Sequence, residues 1–235
     1  MRMMLVGDSM TIGSAGEHTW RHRMWQHLGR APGGPYHFVG PRTGLYDHLA
    51  DAPVSNAYAD PSFPEDARRH LAGWGEGWLH MAPLIREAVA VHRADVLLVS
   101  LGLIDLGFYT DADETVANVR RFVAEARAAD PLIRIVALPV IPNVRARTDP
   151  PFGATCERFN AALAEAFAAL TTPASPLLLA SRPADWVIER DTYDGTHPSP
   201  SGEHRLAAAF ADAMHRAWRL GAPYRTDSMA LTAPA

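Results

Sequence analysis

Two kinds of apolar pattern alternate along this chain. Short stretches rich in apolar residues occur at Met3 to Val6, Tyr36 to Val39, Asp95 to Leu101, Ile133 to Leu138 and Leu177 to Ala180. Each is too short for a helix and is closed by glycine, proline or polar residues, so each reads as a strand of a sheet. Between them apolar residues recur every three or four positions, the helical spacing. Gly16 to Leu28 carries Trp20, Trp25 and Leu28 and ends near Gly29; Leu79 to His92 carries Leu84, Ile85, Ala88 and Val91. Thr115 to Ala129 carries Val116, Val119, Val123 and Ala126; two later helices run through Phe159, Leu163, Phe167 and Leu170, and through Leu206, Phe210, Met214 and Ala217. Strand and helix alternate with no internal repeat or linker. That order predicts an α/β fold, a three-layer sandwich with a five-stranded parallel sheet covered by helices on both faces. One domain spans 1–221, and 222–235 is expected to be a frayed tail.

The stretches that lack a pattern carry the chemistry. Gly7-Asp8-Ser9-Met10-Thr11 follows the first strand, at the carboxyl end where open α/β sheets bind and react. From Arg42 to Glu76 the chain is irregular, and a connection that long is usually functional. It runs into Gly73-Trp74-Gly75-Glu76-Gly77-Trp78, where glycines let backbone N–H groups approach a ligand, although the two tryptophans read equally well as core. Asp194-Gly195-Thr196-His197 places an acid and a base three residues apart just before the last helix. Serine, base and orienting acid together make a nucleophile.

Composition narrows the function classes. The chain has 235 residues, 48% hydrophobic and 20% charged, enough for one well-buried core. A net charge of -4 argues against a nucleic-acid partner. All 22 basic residues are arginine, which excludes Schiff-base and P-loop lysines. The single cysteine, Cys156, excludes an internal disulfide and reads as a packing residue. His18 and His22 lie one helical turn apart with His27 nearby, but no acidic third ligand accompanies them, so neither a metal nor another cofactor is expected. The first strand begins almost at Met1 and no apolar run reaches the length of a membrane span. The expectation is a cytoplasmic protein with a small-molecule partner and no membrane partner, its oligomeric state open.

With the Gly7 to Thr11 turn first, the Gly73 to Trp78 turn second, Gly102-Leu103-Ile104-Asp105 third and Asp194 to His197 last, the chain resembles the SGNH (GDSL-type) hydrolase superfamily from Met3 to about Trp218. The stretch from Phe38-Val39-Gly40 to the second turn is most similar to the acetylxylan-esterase-like branch. The resemblance implies the flavodoxin-like SGNH fold and a serine esterase or deacylase that hydrolyses a small O-acyl ester through an acyl-enzyme. Ser9 would be the nucleophile, His197 the general base and Asp194 its orienter. Oxyanion donors would be the Ser9 N–H, the N–H of Gly77 (or Gly75 in the alternative register) and an asparagine side chain in the third motif. At that last position stands Ile104, which donates nothing. Three readings stay open: a substitute donor such as Asn143 or a backbone N–H, an activated ester or thioester substrate, or a pocket turned to acyl transfer or to binding without hydrolysis. Asp8, Trp74, Trp78, Asp105 and Asn143 are the candidate substrate-binding residues.

Overall fold

Strand β1 (Arg2–Gly7) forms where four large apolar side chains follow one another, and Met3, Met4, Leu5 and Val6 are fully buried. The computed structural model describes residues 1–225. After β1 come α1 (Ser9–Ile12), α2 (Thr19–Arg30) and the short β2 (His37–Phe38). The segment expected to be irregular then folds into an antiparallel hairpin, β3 (Leu45–Asp47) with β4 (Ala52–Ser55), and a two-residue strand, β5 (Leu71–Ala72). Helices α3 (Trp78–Met81) and α4 (Ile85–His92) lead to β6 (Val96–Ser100), α5 (Ala112–Ala129), β7 (Arg134–Leu138) and α6 (Val144–Thr148). The chain continues through α7 (Pro150–Leu170), β8 (Leu177–Leu179), α8 (Ile188–Asp191) and α9 (Pro200–Trp218).

The main sheet is parallel, in the order β2-β1-β6-β7-β8, and β5 pairs with β1 beyond the end of β2. Its five positions are those expected, with one of them shared by two short strands. Gly7 lies opposite Ser100, and Ser100 opposite Leu138. The loops after β1, β6 and β7 therefore leave the sheet side by side. Two groups of helices flank it, α2 packed on α9 and α5 packed on α4 and α7. Trp20 stacks on Phe210 at 4.8 Å in the first group, and Trp78 meets Phe122 edge-on at 5.1 Å in the second.

Several expected elements shift. The helix expected from Gly16 starts at Thr19, as α2, after a short unexpected helix α1. The pattern from Leu79 to His92 is split at Pro83, which cannot continue α3 and so resets the phase of the next helix. Leu84 and Val91, expected on the buried stripe, face solvent, while Ile85, Ala88 and Val89 are buried. The loop before Pro150 contains α6, capped by the Asn143 side chain, which accepts from the Ala146 N–H. Of the expected tail, Ala222 accepts from His27 Nε2 at 3.0 Å and the Tyr224 N–H donates to Asp212 at 2.8 Å. Residues 226–235 lie outside the described residues.

Candidate active site

The turn after β1 places Ser9 by local chemistry. Asp8 caps α1, accepting the Met10 N–H at 3.0 Å, so the chain turns into a helix at Ser9. Behind that helix the fully buried Arg21 donates to the carbonyls of Thr11 (2.8 Å) and Ile12 (2.9 Å) at its far end, and to Arg68 O and Tyr58 OH. A buried guanidinium whose donors meet carbonyl and hydroxyl oxygens fixes the short helix against the chain around it.

His197 Nε2 lies 3.0 Å from Ser9 Oγ, and His197 Nδ1 lies 2.6 Å from Asp194 Oδ2. The three-residue spacing is what permits this. Asp194 Oδ1 accepts the backbone N–H groups of Thr196 (2.9 Å) and His197 (2.8 Å), leaving Oδ2 for the imidazole. Burial disfavours the Asp194 carboxylate, but the hydrogen bonds from the His197 ring and the two backbone donors outweigh it and hold its carboxyl below the usual range. With Nδ1–H directed at the carboxylate, Nε2 is left as a hydrogen-bond acceptor facing Ser9 Oγ. The ring is further held by Trp74, stacked on it at 4.8 Å, and by Tyr193 at 5.8 Å, while Tyr46 stacks on Trp74 at 4.4 Å. Beneath the loop, buried Asp191 accepts from Arg190, Arg205, Ser201 and the Val187 N–H. Burial opposes its charge, yet these partners hold the carboxyl at about 2.

A cavity of about 490 Å³ opens on Ser9 and His197, lined also by Trp74, Gly75, Ile104, Phe108, Asn143 and Arg145. The Arg145 guanidinium stacks on the Phe152 ring at 4.1 Å and donates to Gly107 O at 3.1 Å. Tyr46, Tyr193, Phe108 and Arg145 were not singled out from the sequence. The length of the Arg42 to Glu76 connection was the signal for Tyr46; nothing periodic marked the others.

Four expected site residues are placed elsewhere. Trp78 is fully buried against Phe122. Gly77 spends its N–H on His80 Nδ1 at 3.1 Å, so it is not the donor expected there, and Gly75 is the glycine that lines the cavity. Asp105, fully buried, accepts the N–H groups of Trp78 (2.9 Å) and Leu79 (3.0 Å), anchoring the second turn from below. Asp8 is likewise buried beneath Ser9 and does not line the cavity.

The burial of Asp8 has a consequence for stability. Desolvation, with a smaller push from the Asp105 charge, raises its carboxyl to about 7 against the Met10 hydrogen bond. The unfolded carboxyl loses its proton near pH 4, so between there and about pH 7 the folded state binds more protons and stability falls as pH rises, by about 1.4 kcal/mol per pH unit. Asp8→Asn keeps the capping oxygen but cannot ionise. Its stability relative to the parent is expected to grow by roughly 2 to 4 kcal/mol from pH 4.5 to 7.5 and then level off, measured by urea unfolding. A difference independent of pH would contradict this.

Cys156 is buried, and burial pushes its thiol up to about 11, so it is not a thiolate nucleophile at neutral pH. His18 and His22 stack at 5.2 Å, His22 Nε2 lies 3.2 Å from Asp60, and His27 turns to Ala222. No group of three or more His, Cys, Asp or Glu among the described residues could hold a metal. No helix among them is long and apolar enough to cross a membrane.

Comparison with known proteins bears on the fold and the family. The model of the GDSL-like lipase/acylhydrolase family matches residues 5–205. A carbohydrate esterase of family 3 from Talaromyces cellulolyticus superposes with a TM-score of 0.70 at 25% identity, over 89% of this chain and 94% of its own. A family 3 carbohydrate esterase from Clostridium thermocellum superposes at 0.73 and 17% identity, over 93% and 97%. An acetylxylan esterase from Geobacillus stearothermophilus gives 0.63 and 17%, over 89% and 91%. Among curated protein sequences none matches. With the sheet, the turn after β1 and a family match that runs through nearly all of both, the chain belongs to the GDSL-like lipase/acylhydrolase family and is a carboxylic ester hydrolase.

Proposed function

We propose that this protein hydrolyses a small O-acyl ester through an acyl-enzyme on Ser9, with His197 as general base and Asp194 as its orienter. The observation that carries the reading is the continuous hydrogen-bond line from Ser9 Oγ through His197 to Asp194, opening on one cavity. As Ser9 Oγ attacks the ester carbonyl, His197 Nε2 takes its proton, and Asp194 stabilises the imidazolium that forms. When the tetrahedral intermediate collapses, His197 returns that proton to the departing alcohol, leaving the acyl group on Ser9. Water then attacks the acyl-enzyme, giving its proton to His197, and Ser9 is released protonated with the carboxylic acid. The backbone N–H groups of Ser9 and Gly75 are the main-chain donors for the oxyanion.

An acylated carbohydrate is the substrate class this reading favours. Two structural relatives are carbohydrate esterases of family 3, and Phe108 and Tyr109, 75% and 53% exposed, offer ring faces at the cavity for a sugar-sized alcohol. The test is incubation with p-nitrophenyl acetate and, separately, with a fluorophosphonate probe. Turnover of the first and a single adduct mapped to Ser9 are expected. Absence of both would refute the reading, and labelling without turnover would redirect it to acyl transfer.

A further inference from the structure

We infer that the amide of Asn143 supplies the side-chain donor of the oxyanion pocket, replacing from the next strand the donor that Ile104 cannot provide; this rests on the Ser9 reading above. Strands β6 and β7 run in parallel register, Ser100 opposite Leu138, so the segments that follow them leave the sheet as neighbours. Ile104 stands on one and Asn143 on the other, and both line the cavity with Ser9 and His197. An amide on either loop is therefore delivered to the same space.

The orientation of the Asn143 amide is set by its partners. Its Oδ1 accepts the Ala146 N–H at 3.0 Å as the cap of α6, so the NH₂ group faces the opposite way. There Nδ2 donates one hydrogen to Thr196 Oγ1 at 3.1 Å, beside His197, and no acceptor among the described residues takes the other. The Val144 N–H donates to Gly195 O at 2.8 Å, so this loop is tied to the one that carries the base. Arg145 is held by its contact with the Phe152 ring and its bond to Gly107 O, Trp74 by its stack on the imidazole, and Tyr109 by its edge-on contact with His80 at 4.8 Å. A fixed NH₂ in the cavity that Ser9 lines costs no reorganisation when charge develops on the carbonyl oxygen.

Capping α6 and tying the His197 loop are structural roles that the same residue could fill without touching substrate, and Asn143→Asp can keep both, accepting from the Ala146 N–H and from the Thr196 hydroxyl. The carboxylate still caps α6 but cannot donate. Both Asn143→Asp and Asn143→Ala are expected to lower kcat for p-nitrophenyl acetate by 10²- to 10³-fold with KM changed less than threefold, and the Asp variant to keep its melting temperature. Ile104→Asn in the otherwise unchanged chain is expected to give no gain, because the donor is already present. Retention of kcat within threefold in Asn143→Asp would overturn the inference, as would a tenfold or greater gain from Ile104→Asn. Equal turnover by Ser9→Ala and the parent would instead mean that the serine reading itself is wrong.

Discussion

Replacing Ser9 with alanine is expected to lower ester turnover by roughly 10⁴- to 10⁶-fold, about 5 to 8 kcal/mol of barrier, while the fold stays intact. The size follows from what the substitution removes. Ser9 Oγ is the atom to which the acyl group would be transferred, and its partner is His197 Nε2 at 3.0 Å. Without it the imidazole can activate only a water, and the remaining rate comes from the oxyanion donors and from binding. Stability should change by less than about 1 kcal/mol, because a hydroxyl is exchanged for hydrogen and the Asp8 cap on Met10 is untouched. Asp194→Asn should cost less than Ser9→Ala. The Asp194 side chain is 43% exposed, so water can partly replace the lost acceptor for the His197 Nδ1–H. Steady-state kinetics on the two variants, with mass spectrometry of the fluorophosphonate adduct, checks both halves. Parent-like turnover by Ser9→Ala would end the mechanism.

How much of this was legible in the sequence differs from element to element. The unbroken apolar runs at Met3 to Val6 and Val96 to Leu101 named central strands because only a sheet covered on both faces buries every side chain of so short a segment. The Asp194 to His197 spacing was legible because the contact it makes is local. Ser9 and His197, 188 residues apart, could be joined only by a topology, which the strand–helix alternation and the family resemblance supplied. The hairpin at Leu45 to Ser55 was illegible for the opposite reason: β4 has no buried face, so no alternation marks it. Trp74 and Trp78 sit in the same glycine-rich turn with similar neighbours. Which one stacks on the base and which enters the core depends on the direction in which α3 leaves the turn, set by Asp105 from 27 residues away. Ile104 was read as a gap in the cradle with Asn143 as one possible substitute; that the two line one cavity follows from the register of β6 and β7, which spacing along the chain does not give.

The same turn yields the second large effect, because the reason for Gly77 is space and not an N–H. A Cβ built there would lie 2.3 Å from Asp105 Oδ2, 2.5 Å from its Cγ and 2.6 Å from Oδ1, far inside contact distance. Its backbone is extended, φ -126°, so conformational freedom is not what glycine provides here. Gly77→Ala must push the Asp105 carboxylate off the N–H groups of Trp78 and Leu79. Hydrogen bonds to a charged group contribute about 1.5 to 3 kcal/mol each, and the carboxylate has no route to solvent, so a loss of roughly 3 to 6 kcal/mol is expected. Activity should fall with it, since this turn carries Gly75 and the Trp74 ring that stacks on His197. Gly75→Ala is the contrasting change. Nothing lies within 4 Å of a Cβ at that position, and the cost there is only the left-handed backbone at φ +70°, about 1 to 2 kcal/mol. A double-mutant cycle settles the cause: with Asp105→Ala already in place, Gly77→Ala should cost less than about 1 kcal/mol, a coupling of at least 2 kcal/mol. Additive losses in urea unfolding at pH 8 would mean that Asp105 is not what Gly77 makes room for.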